Sequence, residues 1–72
     1  MTRLSPIKVR KLIKFLKNKG FYEVRQKGSH KFFAHTDGRT TVIPFHPTKE
    51  ISRGLLRKIL DDIKSSPKEL KK

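Results

Sequence analysis

The sequence predicts an α+β domain in which two amphipathic helices cover one side of a three-stranded antiparallel sheet. Three observations carry this. Two segments, near each end, repeat apolar residues at helical spacing. The stretch between them alternates apolar and polar residues in short runs broken by glycine-containing turns. At 72 residues the chain has room for one core and no second domain.

The first helix is predicted to open at Ser5-Pro6, with Ser5 as N-cap, Pro6 at the first helical position and Leu4 stapled against Val9. Val9, Leu12, Ile13 and Leu16 form its apolar stripe, Phe15 lies at the stripe's edge, and Arg10, Lys11, Lys14 and Lys17 lie on or near the other face. Gly20 supplies the left-handed residue that ends it. Phe21 to Gln26 is expected to be a half-exposed strand, Lys27-Gly28-Ser29 a turn, and His30 to His35 a second strand with Phe32 and Phe33 on opposite faces. Asp37-Gly38 marks a hairpin, and Thr40 to Phe45 a third strand with Pro44 near its tail and Pro47 beyond it.

After a loop from His46 to Glu50, Ser52 is expected to cap a second helix, with Ile51 stapled against Leu56. Leu56, Ile59, Leu60 and Ile63 are its buried stripe, and Leu55 lies beside it. Gly54 weakens its first turn, which close approach of a backbone or ligand would explain. Ser66-Pro67 offers one more helical turn, but the final residues read as a tail. The expected organisation is a single domain over 1–66 and a C-terminal tail over 67–72. An α-β-β-β-α order with both helices on one face of the sheet is the layout of a double-stranded-RNA-binding-type domain.

Charge narrows the partner. Nineteen Lys and Arg against six Asp and Glu give a formal net charge of +13. Residues 1–31 hold ten of those cations and a single acid, Glu23. Such a surplus repels itself unless a polyanion is near, and nucleic acid is the first candidate because each neutralised phosphate releases counterions. With no cysteine, disulfides and thiolate metal sites are excluded, in keeping with a reducing compartment. No apolar run approaches the roughly 20 residues of a membrane span, and no signal-peptide pattern is present. The expectation is a soluble, cytoplasmic protein without a membrane partner.

Nucleotide-cofactor loops, zinc-protease motifs and calcium loops are missing, and six scattered acids do not make a two-metal nuclease. His30, His35 and His46 have no recognised ligand spacing, so neither a metal nor a cofactor is expected. What remains is chemistry that cations and a histidine can perform. RNA carries its own nucleophile, the 2′-hydroxyl, so its cleavage needs a general base and positive charge around the phosphate. In Arg25-Gln26-Lys27-Gly28-Ser29-His30, the histidine is of the right type for the base, Arg25, Lys27 and Lys31 for holding phosphate, Gly28 for close backbone approach and Ser29 for a hydrogen bond. Lys11 and Lys14 would add affinity from the first helix. A plain hairpin turn followed by a surface histidine explains the same triplet. His35, five residues on, cannot share a face with His30 on a regular strand, and it and His46 read as structural.

The chain resembles the HicA toxins of bacterial and archaeal HicAB toxin–antitoxin modules, also called YcfA-like proteins. The similarity runs from about Ser5 to Ile63 and rests on Gly20-Phe21, the Arg25–His30 segment, His35 with Asp37-Gly38-Arg39, Val42-Ile43-Pro44 with His46, Lys49-Glu50-Ile51, and Gly54-Leu55-Leu56-Arg57-Lys58-Ile59-Leu60. Thr36 stands where that family usually has Pro, Leu55 where it often has Thr, and no glycine follows the second helix. The resemblance implies a double-stranded-RNA-binding-like fold, mRNA interferase activity with His30 as the catalytic residue, and inhibition by a cognate acidic HicB-type antitoxin. A non-catalytic RNA-binding module is the alternative.

Overall fold

The computed structural model describes residues 5–46 and 50–70. The elements run β1 (Ile7–Lys8), α1 (Val9–Asn18), β2 (Tyr22–Lys27), β3 (His30–Ala34), β4 (Thr40–Pro44), β5 (Glu50–Ile51), α2 (Arg53–Asp62) and α3 (Pro67–Leu70). Strands β2, β3 and β4 form an antiparallel meander, as predicted. Its helix-side face contributes Phe33, Ile43 and Thr41 to the core, which Leu12 and Leu16 of α1 and Leu56, Ile59 and Leu60 of α2 complete. Along β3 and β4 the alternate residues stay at least partly exposed, so the other face is open.

The first helix begins later than its sequence predicts. Ser5 is not its cap: Ile7 and Lys8 are extended and pair with Ile51 and Glu50, and α1 starts at Val9 from an N-cap Lys8 without a side-chain bond. Pairing that buries Ile7 and Ile51 outweighs what a serine cap offers, typically about 1 kcal/mol. The same pairing makes Glu50–Ile51 a short strand instead of loop. Ser52 does cap α2, its Oγ accepting the Leu55 N–H at 3.3 Å. Gly54 is not crowded, since a Cβ there would meet nothing within 4 Å. Leu4, Pro47 and residues 71–72 lie outside the described residues.

Both long helices end in the same hydrogen-bonded motif. After α1, Gly20 N–H donates to Lys17 and Phe21 N–H to Leu16, with Gly20 at φ +95. After α2, Lys64 N–H donates to Asp61 and Ser65 N–H to Leu60, and Lys64 itself takes the left-handed conformation at φ 56. The Arg39 guanidinium donates to the Ile63 carbonyl, so a long-range contact supports the closure that glycine usually provides. At the C-terminus the helical turn forms: Glu69 accepts from Ser66 N–H and from Lys19 Nζ, which holds its carboxyl down at about 2.

Candidate active site and basic grooves

The β2–β3 hairpin turns through two residues, Gly28 and Ser29, with Lys27 directly opposite His30. Gly28 sits at φ +59, the left-handed first loop position that a two-residue II′ turn reserves for glycine. Gln26 braces the turn from the helix side, donating to the Gly28 carbonyl at 3.0 Å and accepting from Lys31 Nζ at 3.1 Å. On the other side Phe45 N–H donates to the Ser29 carbonyl. Neither the His30 imidazole nor the Ser29 hydroxyl makes a hydrogen bond among the described residues.

Register decides which side chains meet. Lys27 pairs with His30, Arg25 with Phe32, and Pro44 and Val42 with the same two β3 residues from the far side. Paired residues of an antiparallel sheet share a face, so Arg25, Lys27, His30 and Phe32 all project from the open one. The Arg25 guanidinium lies 4.8 Å from the centre of the Phe32 ring. A bulge between Glu23 and Arg25 makes this possible. Strict alternation would put Glu23 on the face of Arg25 and Lys27. The extra residue turns the carboxylate to the helix side, where it pairs with Lys31 at 3.1 Å. The cations around His30 thereby lose an acidic neighbour.

Lys31 does not join His30. It follows His30 in the strand and points to the helix side, its ammonium 4.7 Å from the Phe45 ring centre. Lys14 lies on that side too, lining with Lys31 a groove of about 540 Å³. Lys11 is exposed on α1 and lines neither that groove nor the one beside His30. The predicted site residues therefore divide between two faces: His30, Arg25 and Lys27 at the hairpin on one, Lys14 and Lys31 on the other, with Gly28 and Ser29 at the ridge between.

His30 also lines a groove of about 420 Å³ that runs past Val42 and Pro44 to Lys58 and Asp62 of α2. Lys58 Nζ lies 3.7 Å from Asp62, whose carboxylate also accepts from buried Thr41 at 3.1 Å. Sequence reasoning missed Lys58 and Asp62 because they sit one helical turn apart in a segment legible only as a buried stripe. The other histidines are elsewhere. His35 stands edge-on to Phe21 at 5.1 Å and its Nδ1 accepts the Asp37 N–H, so it is a structural residue. His46 is exposed and lines a separate cleft beside Ser52 and Leu55. Among the described residues no three His, Asp or Glu side chains gather in a metal-binding group, and no helix is long and apolar enough to cross a membrane.

Fold and site together define a class: a small, strongly basic α+β domain whose open sheet face presents a histidine beside cations. A family model described as "HicA toxin of bacterial toxin-antitoxin" matches residues 9–64. The chain therefore belongs to the HicA toxin family, and membership implies an antitoxin partner. No curated protein matches it.

Proposed function

We propose that this protein is the toxin of a type II toxin–antitoxin pair and acts as a metal-independent mRNA endoribonuclease in the cytoplasm. The observation that carries this reading is an imidazole with no internal partner among the described residues, on an open face directly across from Lys27, in a chain of the HicA family. His30 takes the proton of a 2′-hydroxyl. The O2′ attacks the adjacent phosphorus, the bond from phosphorus to O5′ breaks, and a proton from solvent completes the leaving hydroxyl. Lys27 and Arg25 offset the charge that grows on the phosphoryl oxygens. Gly28 and Ser29 let the strand come close to the hairpin tip. The products carry a 2′,3′-cyclic phosphate and a 5′-hydroxyl, and a chelator leaves the rate unchanged. An acidic antitoxin of the HicB type, covering the basic surface, is the proposed protein partner.

The test is a defined RNA incubated with the protein and with His30→Ala, followed by analysis of product ends. His30→Ala is expected to lower cleavage by about 10²–10⁴-fold, the range of a general base. A folded His30→Ala protein that cuts at the original rate, or products ending in a 3′-hydroxyl, rejects the mechanism. Salt-sensitive RNA binding without cleavage by the unsubstituted protein identifies a non-catalytic RNA-binding module instead.

A further inference from the structure

We infer that the helix-side groove is a second RNA-binding site, which takes the same strand after it has passed over the β2–β3 hairpin. This rests on the reading of His30's face as an RNA site and extends it to the opposite side of the sheet. Four cations, Arg10, Lys14, Lys17 and Lys31, surround a floor made by Ile13 and Phe45. The groove's one acid, Glu23, is bound to Lys31. Arg10, Lys14 and Lys17 enter no ion pair among the described residues.

A helix that needed only solubility would gain from acids placed among these cations, and α1 has none along its length. Like charges are instead held side by side on consecutive turns, roughly 5–6 Å apart by helical rise, over partly buried apolar side chains. That combination suits a ligand with regularly repeated negative charge and flat apolar groups between, which describes a nucleic-acid strand. Continuity favours RNA over an acidic protein segment. Lys31 is the residue after His30, so the groove begins on the reverse of the strand that carries the site. The exposed Lys27-Gly28 tip is the ridge between the two faces. A strand that leaves Lys27 and crosses the ridge meets the Lys31–Glu23 pair first and the α1 cations, unpaired among the described residues, next.

The experiment uses His30→Ala protein, so that RNA stays intact, and measures affinity for an RNA of about 16 nucleotides and one of about 4, spanning the usual site sizes of small domains. Arg10→Glu/Lys14→Glu is expected to weaken the longer RNA about tenfold or more and to leave the shorter one within about twofold. The slope of log K against log salt for the longer RNA should fall by about 1.4, two single-strand contacts at about 0.7 each. Arg53→Glu/Lys68→Glu removes equal charge at exposed positions outside both grooves and should weaken the longer RNA far less. Arg10→Gln/Lys14→Gln repeats the measurement should charge reversal disturb folding, which circular dichroism reports. Equal weakening of both RNAs, equal weakening by both double variants, or no weakening overturns the second site and leaves His30's face as the RNA site. Failure of the parent protein to bind either RNA rejects both readings together.

Discussion

The β2–β3 and β3–β4 turns each pair a histidine with a glycine at positive φ, in the same sheet and joined by one strand. Their polar groups have opposite fates. In the β3–β4 turn His35 N–H donates to Arg39, Gly38 N–H to His35, and Asp37 N–H to the His35 ring. Arg39 reaches Asp37 with both its backbone and its guanidinium, donates to the Ile63 carbonyl, and lies 5.0 Å over Phe21. The His35 backbone, its Nδ1 and the Arg39 side chain are all engaged within the fold. In the β2–β3 turn the backbone is braced from both sides, while His30 and Ser29 keep their side-chain hydrogen-bonding capacity unspent among the described residues. A histidine wired into its own turn serves the fold. One held on a braced but unwired turn is available to a ligand.

Substituting the two histidines is the sharpest way to break this comparison. His35→Ala removes an aromatic contact and an acceptor, and should destabilise by about 1–3 kcal/mol. His30→Ala, which removes an exposed side chain with no hydrogen bond among the described residues, should stay within about 0.5 kcal/mol of the parent. Chemical denaturation checks both, and a large loss of stability in His30→Ala would show that its turn is wired after all. The glycines give a smaller contrast. Gly28→Ala and Gly38→Ala meet no atom within 4 Å, so each should cost only the left-handed backbone penalty of about 1–2 kcal/mol. Gly20→Ala would bring its Cβ to 2.9 Å from His35 Nε2 and should cost more than either. Equal values would mean that His35 can give way without loss.

The smallest effect is a titration. The Arg39 backbone N–H, more than its guanidinium, holds the Asp37 carboxyl below its ordinary value of 3.8. A depressed carboxyl contributes stability that is present above that ordinary value and is lost as pH falls through the lowered one. Acidification below about pH 4 should therefore loosen the β3–β4 turn, read as faster exchange or a shifted resonance of the Arg39 amide. The Gly28–Ser29 turn, whose own hydrogen bonds involve no carboxylate directly, should respond less over the same range.

Much of this was legible in the chain. The α2 stripe of Leu56, Ile59, Leu60 and Ile63 follows helical spacing and is buried throughout, and both hairpin turns stand where glycine punctuates alternating runs. The β1–β5 pairing was not, because two-residue strands leave no periodic trace and draw their stability from partners far along the chain. Lys31 is instructive. Alternation separated His30 from His35, and the same rule separates His30 from its immediate neighbour, yet the charge of Lys31 drew it into the expected site. The bulge after Glu23 has no sequence signal, so the turning of that carboxylate away from Arg25 and Lys27 could only be seen in three dimensions. Expected half-exposed, β2 is exposed along all six residues, as an edge strand at the rim of the helix layer.

The rung between Ile7 and Ile51 joins segments that lie on either side of the whole three-stranded sheet. In folding terms it is the most distant strand pairing among the described residues: the hairpins close over a few residues, whereas this pairing waits for both halves to find each other. Loop-closure entropy grows only with the logarithm of length, so the delay adds little to the final free-energy balance. What it adds is order of assembly. The hairpin bearing His30 closes through contacts near in sequence, whereas the clasp that joins the starts of α1 and α2 needs both ends of the domain in place.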